Sequence, residues 1–494
     1  MPWGVVLLRL DSDCKKTNNL KVIIVVTNRY GGPVPVMPIG ACLVAEAVER
    51  ASRMVRVLDL MFEQDPLRAM EMELSKTEPD IIGLSVRNID NNDMQNPVAF
   101  YKDLKPLVET IRGKAQSPIV LGGAAVAVMP EELLRYTGAD WAILGDGEVV
   151  FPKVVESLSQ GGLPDQIPGV AWLEDDVFMK NTGYVTRFSD GCLIPDFHRW
   201  INVRAYLSRL STVPIQTKLG CHFKCVYCTY RKIEGHDYRL CDPHSVVAAI
   251  MNLDATGLRE VEFVDNVFNS PYDHALAVCE GLAQVRSNVR LQSLELNPLF
   301  IDDALLTAME RAGFVGMGIT VESASDAVLN GLQKGFTGED VHNAAQVIRR
   351  HKLPCLWIFM LGGPGETSET VRETLRFADQ CIRPTDVVFF NIGIRIYPGT
   401  ELEQTARKEG VLSLPPQKML EPVFYISPAL DLDWLINTMH NTLATHLNYI
   451  DSNTIGLSFL PTINRLGYRL GVKSPLWRHT RFIRRGLRFF GMDV

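Results

Sequence analysis

Short apolar runs alternate with amphipathic segments through most of this 494-residue chain, and the alternation limits the folds that it can adopt. Five such runs lie at 21–26, 55–60, 80–86, 118–122 and 140–144. Continuous apolar strands separated by helices are typical of a parallel sheet that is covered on both faces. We therefore predict a doubly wound, Rossmann-like α/β domain over 21–160, preceded by a tail at 1–20. Its ligand should lie at the carboxyl ends of the strands.

The same alternation returns further along the chain. Six candidate strands, each followed by a helical pattern, begin near Val213, Arg259, Arg290, Val315, Pro354 and Asp386. Six such units predict a partial (β/α)6 barrel over 213–410, with function on the loops at the carboxyl ends of its strands. Glycines and prolines over 161–212 indicate a linker with a small hairpin around 169–186. The strand pattern is lost over 411–494, where we expect a helical C-terminal region.

Loops rich in glycine and polar residues follow the third, fourth and fifth predicted strands. The candidate ligand-binding residues in them are Arg87, Asn88, Gly122, Gly123, Gly145, Asp146, Gly147 and Glu148. Glycine allows a ligand to approach the backbone closely. The Gly-x-Gly-x-x-Gly pattern is absent after the first strand, which argues against a bound NAD. Taken alone, these glycines are more typical of simple turns.

Three cysteines follow the first predicted strand of the barrel. Cys221, Cys225 and Cys228 have the spacing Cys-x3-Cys-x2-Cys. They can ligate three irons of a [4Fe–4S] cluster, which normally takes four cysteines. The next cysteine, Cys241, stands thirteen residues on, so one iron would stay open for a substrate or cofactor. A zinc knuckle and simple buried cysteines are the alternatives, whereas the scattered remaining cysteines disfavour disulfides.

The cysteine spacing, with Tyr227 before the last cysteine, resembles the signature of the radical S-adenosylmethionine (SAM) family. The resemblance implies that SAM chelates the open iron through its amino and carboxylate groups. It also implies a SAM site at the later strand ends, formed by Asp265, Glu295, Glu322 and Ser323, with Gly362, Gly363 and Pro364 near the adenosine. Carboxylates there can accept hydrogen bonds from ribose hydroxyls or an ammonium group. Singly, each of these residues could instead form a helix cap or a turn.

The loops of the first domain resemble the cobalamin-binding domain that precedes the radical SAM domain in one large subfamily. The run at 85–90, the Gly122-Gly123 pair and the run at 145–148 carry this resemblance. Residues 1–197 contain no histidine, so a histidine from this domain cannot bind cobalt. By its position after the third strand, Arg87 is predicted to face the lower side of cobalt. An ion pair between Arg87 and a nearby aspartate is the alternative.

Together the resemblances imply a cobalamin-dependent radical SAM enzyme that uses a [4Fe–4S] cluster, SAM and cobalamin. The first expectation is a methyltransferase: a 5′-deoxyadenosyl radical removes hydrogen from an unactivated carbon, and methylcobalamin gives its methyl group to the substrate radical. An enzyme with the same cofactors that cyclises or rearranges its substrate remains open. So does a non-catalytic cobalamin or iron–sulfur sensor, although a sensor would not need the carboxylates of the implied SAM site.

Charge and composition limit the partners. The net charge of −7 argues against a nucleic-acid-binding protein. No apolar run reaches the roughly 18 residues that span a bilayer, and no signal-peptide layout is present, so we expect a cytoplasmic protein. A small-molecule or lipid substrate and an external reductant such as flavodoxin or ferredoxin are the expected partners. The basic, aromatic end at 478–490 could contact an anionic membrane, but such segments usually pack their aromatics and solvate their arginines.

Overall fold

The computed structural model describes residues 20–51, 53–181, 194–456, 459–489 and 491. The predicted N-terminal tail therefore lies outside the described residues, apart from Leu20. In the parts of the chain that are described, no helix has both the length and the apolar character needed to cross a membrane.

The first sheet, over the described residues up to 181, has seven strands. They are β1 (Lys21–Val26), β2 (Met54–Asp59), β3 (Ile81–Ser85), β4 (Ile119–Gly122), β5 (Trp141–Ile143), β6 (Val170–Glu174) and β7 (Val177–Lys180), in the order β2-β1-β3-β4-β5-β6-β7. β1 to β5 are parallel, which confirms the five predicted strands to within one residue at each end. β6 and β7 form the predicted hairpin, but they extend this sheet antiparallel to β5 instead of lying in a separate linker.

Helices cover both faces of this sheet because the central strands are apolar on both sides. They are α1 (Ile39–Arg50), α2 (Pro66–Thr77), α3 (Leu104–Arg112), α4 (Ala124–Val128), α5 (Pro130–Thr137) and α6 (Gly147–Ser159), with 3₁₀ turns at Leu60–Phe62, Phe100–Asp103 and Pro164–Gln166. Val22 and Ile24 of β1 pack with α1 and α6. Ile23 and Val25 point to the other face and pack with α2, α3 and α5. This is the arrangement that continuous apolar strands predict.

The second sheet lies in the part of the chain described from residue 194 onward. The strands there are β8 (Val213–Ile215), β9 (Lys218–Leu219), β10 (Arg239–Leu240), β11 (Glu260–Phe263), β12 (Arg290–Leu296), β13 (Phe314–Glu322), β14 (Cys355–Leu361), β15 (Val387–Ile392), β16 (Ile394–Arg395), β17 (Phe424–Tyr425) and β18 (Tyr449–Asp451). Seven of the described strands form the parallel order β18-β15-β14-β13-β12-β11-β8, and β9-β10 and β16-β17 are small antiparallel ribbons. All six predicted strands begin within one residue of their expected positions.

The C-terminal region is mostly helical, as predicted, but it also contributes two short strands. β17 pairs with β16, and β18 pairs with β15 as a seventh barrel strand. With three residues, β18 is too short to show a periodic pattern.

Helices surround the barrel and form most of the C-terminal region. They are α7 (Phe197–Trp200), α8 (Val203–Leu207), α9 (Tyr230–Ile233), α10 (Pro243–Ala255), α11 (Tyr272–Gln284), α12 (Asp303–Ala312), α13 (Asp326–Gly331), α14 (Gly338–Arg350), α15 (Ser368–Cys381), α16 (Glu401–Lys408), α17 (Leu432–Thr445), α18 (Ser452–Ile455), α19 (Leu460–Arg469) and α20 (Thr480–Phe489). Further 3₁₀ turns lie at Pro298–Phe300, Pro416–Lys418 and Leu476–His479. Alternate side chains of the barrel strands face these helices, as Trp357 and Phe359 of β14 do. Trp477 packs with Ile358 and Phe389, among the side chains on the opposite face of the strands.

The two domains are held together by buried polar contacts beyond the carboxyl ends of β3 and β15. Arg395 Nε lies 2.8 Å from Asp90 Oδ2, and both side chains are at most 2% exposed. Tyr397 OH donates to Asn92 Oδ1 at 2.8 Å. The segments that follow β3 and β15 are therefore in direct contact across the boundary between the domains.

Candidate cofactor-binding site

A cleft of about 1100 Å³, partly open to solvent, lies at the carboxyl ends of β1, β3, β4 and β5. Six of the eight predicted ligand-binding residues of the first domain line it: Gly122, Gly123, Gly145, Asp146, Gly147 and Glu148. The barrel side contributes Gln216, Leu219, Ile233 and Glu234. Small and backbone-exposing residues thus surround the cleft, and no histidine is among the described residues that line it.

Gly123 shows why the sequence needs glycine at the end of β4. Its φ is +104°, a backbone conformation that residues with a side chain rarely adopt. A Cβ at this position would lie 2.5 Å from the carbonyl oxygen of Val86. The loops after β3 and β4 therefore touch through backbone atoms and leave the cleft wall flat.

Acidic residues at the start of α6 line the cleft on the side of the first domain that contacts the barrel. Asp146 pairs with Arg239 of β10 at 2.5 Å, and both side chains are about 10% exposed or less. Burial, with a smaller contribution from Asp146, raises the pKa of Glu148 above its ordinary value. Asp146 therefore fixes the domain contact, and the role of Glu148 toward a cofactor stays a prediction.

Arg87 follows β3, and its side chain is accessible from the space between the domains. Surrounding protein desolvates the guanidinium and lowers its pKa, which the nearby barrel residues Tyr230 and Glu262 partly offset. Arg87 makes no ion pair with any residue that the structure describes, so the alternative of an aspartate partner finds no support there. Asn88 is not among the residues that line the cleft. Contacts of both residues with cobalamin stay predictions.

The three cysteines lie on the loop that follows the β9 strand. Gly220, directly before Cys221, has a φ of +89°, and a Cβ there would lie 2.1 Å from the Asp237 carbonyl oxygen. The Cys221 N–H donates to the Gly235 carbonyl at 3.2 Å, and the Cys228 N–H donates to the Cys225 carbonyl at 3.1 Å. Backbone contacts therefore fold this loop before any cluster binds.

Burial raises the pKa of all three thiols, that of Cys228 to about 12. The thiolates therefore need the positive charge of a metal centre to form near neutral pH. Cys241 is 2% exposed and packs in the hydrophobic core of the barrel, away from this role. Across the described chain, no three His, Cys, Asp or Glu side chains converge on a single ion, so the zinc alternative finds no support. A cubane differs because each thiolate binds its own iron.

Glu322 lies at the centre of a buried network next to the cysteine loop. Tyr227 OH donates to Glu322 Oε1 at 2.5 Å, and Lys334 Nζ donates to the same oxygen at 2.8 Å. Although burial opposes its charge, Glu322 and Cys225 raise the pKa of Lys334 above its ordinary value. The second oxygen, Oε2, is buried and has no hydrogen-bond partner among the described residues. An unpaired buried carboxylate oxygen is costly and fits a donor from a bound ligand.

The backbone at Glu322 supports a functional role. Its φ is +58°, an uncommon value for a residue with a side chain, and such values cluster at functional sites. Glu295 of β12 lies nearby, and burial followed by the charge of Glu322 raises its pKa to about 8. Glu295 is therefore largely protonated at neutral pH, and it lies with Glu322 at the carboxyl ends of β12 and β13, which we call the mouth of the barrel.

Two residues of the implied SAM site are engaged by the protein itself. Asp265 Oδ1 accepts from the Thr217 and Lys218 N–H groups at 2.7 and 3.3 Å, and Oδ2 accepts from Thr217 Oγ1 and Lys218 Nζ at 2.6 and 3.2 Å. Ser323 Oγ lies 3.0 Å from Thr374 Oγ1 of α15 and accepts from the Ser325 N–H. Asp265 therefore anchors the start of the cysteine loop and Ser323 faces the outer helix, and the contacts of both residues with SAM stay predictions.

The Gly362-Gly363-Pro364 turn is organised by a residue that the sequence analysis did not select. Glu366 Oε2 accepts from the Gly362 and Gly363 N–H groups at 2.5 and 3.0 Å. These donors are therefore used within the protein, and the contact of the turn with adenosine stays a prediction. Lys334 and Tyr230 were also missed as parts of the mouth. Periodicity could not reveal them, because they meet the other groups only through tertiary packing.

Comparison with known proteins agrees with this two-part site. Residues 23–155 match the B12 binding domain family, and residues 215–378 match the Radical SAM superfamily. An uncharacterized methyltransferase of Pyrococcus horikoshii is 26% identical over 76% of this chain and 79% of its own length. The tryptophan 2-C-methyltransferase of Streptomyces laurentii is 22% identical over 74% of this chain and 71% of its own.

A solved structure shares the whole architecture. It is the radical SAM methyltransferase TsrM from Kitasatospora setae with cobalamin and a [4Fe–4S] cluster bound, and it superposes with a TM-score of 0.81 at 22% identity, covering 95% of this chain and 99% of that one. The likeness shows a common fold. Residues 23–155 therefore form a domain of the B12 binding family, and residues 215–378 form a domain of the Radical SAM superfamily.

Proposed function

We propose that this chain is a cobalamin-dependent radical SAM methyltransferase that methylates an unactivated carbon of a small molecule. The observation that carries the proposal is the position of two candidate sites, the cleft of the first domain and the cysteine loop of the barrel. The wall of the glycine-lined cleft also contains Leu219 and Glu234, which flank the cysteine loop in the chain. Arg87 of the first domain lies within electrostatic range of Tyr230, which is also close to Cys228. A methyl donor and a centre that activates the substrate would need this proximity.

The donor sets fit the three cofactors. Cys221, Cys225 and Cys228 would hold the cluster, the free Oε2 of Glu322 would accept a hydrogen bond from SAM, and the cleft would hold cobalamin. When bound, the cluster and SAM supply one-electron chemistry and cobalamin supplies a methyl group. Lys334 would fix the position of Glu322, since its ammonium donates a hydrogen bond to the carboxylate. Glu295, largely protonated at neutral pH, can donate a hydrogen bond in the mouth.

The contact between the domains would protect this chemistry. The buried Asp90–Arg395 pair and the Tyr397–Asn92 hydrogen bond close the loop after β3 onto the barrel. Water and oxygen are thereby kept from one side of the space between the domains. Arg87, without an ionic partner among the described residues, would place a positive charge on the cofactor side and disfavour a further ligand on the metal there.

The substrate and the electron source belong to the same proposal. One named relative methylates tryptophan, which supports a small molecule; a lipid is the second candidate. The cluster would have to be reduced by one electron before each SAM cleavage, and amino-acid side chains do not supply that electron, so an external reductant such as flavodoxin or ferredoxin is needed. An oxygen-labile cluster favours a reducing compartment, and we propose the cytoplasm.

Product analysis tests the methyltransferase. The anaerobically reconstituted chain is incubated with SAM carrying a labelled methyl group, a reductant, and small-molecule or lipid extracts. We expect label in an extracted compound, with no label in reactions of a Cys225→Ala variant. SAM consumption that gives an altered but unlabelled compound would favour the cyclising or rearranging enzyme. If the chain binds the cofactors but consumes no SAM with any of the extracts, a sensor would be favoured.

A further inference from the structure

The end of the chain is strongly asymmetric in charge. Between Asp451 and Asp493 there are eight arginines and lysines and no acidic residue, although the whole chain has a net charge of −7. A basic block in an acidic protein indicates an anionic partner. The described part of this block contains α19 and α20, with the 3₁₀ turn at Leu476–His479 between them.

The helix α20 has the reverse of the usual amphipathic arrangement. Arg484 is 2% exposed and donates to the carbonyl oxygens of Leu443, His446 and Tyr449 at the end of α17 and beyond. Phe482 is 77% exposed and Phe489 is 84% exposed. The expectation that the aromatics pack on the protein is therefore wrong for Phe482 and Phe489, and the expectation of solvated arginines is wrong for Arg484. The protein fixes an arginine inside and turns phenylalanines outward.

The outward face of α20 combines these rings with two cations. Arg481 and Arg485 are exposed and form no ion pair with any described residue. Positions 482, 485 and 489 share one face of a helix, and 481 is adjacent to it. We call Arg481, Phe482, Arg485 and Phe489 the C-terminal basic surface. The preceding helix adds an exposed leucine, since Leu470 just beyond α19 is 74% exposed.

We infer that the C-terminal basic surface docks on an anionic phospholipid bilayer. Exposed phenylalanines flanked by arginines match the composition of interfacial helices, in which apolar side chains enter the headgroup boundary and cations contact the lipid phosphates. Charge complementarity selects the anionic bilayer. Arg484 and Arg488 hold the helix against α17 through its carbonyl oxygens, so the surface is preformed. The contact does not depend on methyl transfer.

Two other occupants fit less well. A nucleic acid would match the arginines, but binding to it gives no reason to expose the apolar side chains of Leu470 and Phe482. A second copy of this chain would bring the same eight positive charges against one another. Measurements in solution can distinguish both of these occupants from a bilayer.

Vesicle flotation of the reconstituted full chain tests the inference. Vesicles of equal parts phosphatidylcholine and phosphatidylglycerol should carry the protein upward at low salt, and pure phosphatidylcholine should not. The double variant R481Q/R485Q should bind roughly thirtyfold more weakly, because each arginine near an anionic surface contributes about fivefold. Phe482→Ser should weaken binding at both low and moderate salt, since its contribution is not screened.

Matched variants on the first domain serve as controls. Arg68→Gln and Leu163→Ala change an exposed arginine and a leucine that is 67% exposed, and both should float like the parent chain. Equal binding to the two vesicle types, or unchanged binding of R481Q/R485Q, would overturn the inference. So would retention of bulk tRNA with the same arginine dependence, or a dimer that Phe482→Ser dissociates without any change in flotation.

Discussion

The cleft of the first domain and the mouth of the barrel are built from different materials. The cleft is lined largely by glycines and aliphatic residues, and its shape depends on backbone contacts such as the one between Gly123 and Val86. The mouth is built from buried charges, with Glu322 and Lys334 only 7% exposed. The first suits a large cofactor held by shape, and the second suits smaller groups held by charge-assisted hydrogen bonds.

This difference predicts two kinds of mutant. Added volume should damage the cleft, because a close-packed wall cannot give way without strain. A change of charge without a change of volume should damage the mouth. Four sets of substitutions test that contrast, from the largest expected effect to the smallest.

The largest effect is expected in the cysteine loop. Alanine at Cys221, Cys225 or Cys228 should abolish the visible absorbance of the cluster and leave cobalamin binding intact, because the cleft lies in the other domain. Cys241→Ala is the matched control, since this cysteine is buried in the core. The Cys241→Ala protein should be less stable than the parent chain, but its iron content should be the same. An iron-free Cys241→Ala protein would contradict the assignment of three ligands and one open iron.

The next effect is expected at Glu322. Glu322→Gln keeps the volume but removes a charge whose hydrogen bond to a ligand is worth roughly 1.5–3 kcal/mol. SAM affinity should therefore fall by roughly tenfold or more. Iron content and cobalamin occupancy should stay near those of the parent chain. Equilibrium binding of SAM to the reconstituted protein measures the change.

The control for this substitution is Glu373→Gln, on the exposed side of α15. Glu322→Gln should also lower the melting temperature, because Lys334 would lose its buried partner. A lower melting temperature with unchanged SAM affinity would assign Glu322 to the fold alone.

A smaller effect is expected from added volume in the cleft. A Cβ at Gly122 meets no described atom within 4 Å, so Gly122→Val should fold normally but project into the cofactor space. Cobalamin affinity should fall by at least about 1 kcal/mol, roughly fivefold, as in an overpacked core. Gly113→Ala, which makes only ordinary contacts at the end of α3, is the control. Normal cobalamin affinity with a lower melting temperature would place Gly122 outside the cofactor site.

The smallest effect is a pH dependence at Glu295. Burial raises the pKa of its carboxyl group from 4.5 to about 8 in the folded chain, so folding favours the protonated form. This group should therefore lower stability as the pH rises from 4.5 through about 8, and add no further change above that. Glu295→Gln should flatten the fall in melting temperature of the cofactor-free protein between these limits. An identical slope in both proteins would show that Glu295 is solvated.

The residues of the cleft were easier to predict from the sequence than those of the barrel mouth. The glycine loops were located correctly because they directly follow apolar strands, and strand ends are readable from local pattern. Asp265 and Ser323 also follow strands, yet one anchors Thr217 and Lys218 and the other faces α15. Position after a strand therefore indicates which edge of the sheet a residue reaches, but it does not indicate which neighbour takes its hydrogen bonds.

What the sequence by itself determined was the order of strands and helices, the two-domain division and the three-cysteine loop. These follow from local periodicity and spacing, which any segment carries within itself. Tertiary structure alone decided that Tyr227, Glu322 and Lys334 share one buried oxygen, that Asp90 meets Arg395 across the domains, and that Tyr449–Asp451 completes the barrel. Each of these depends on groups far apart in the chain, whose meeting is set by packing and desolvation and leaves no periodic trace in the sequence.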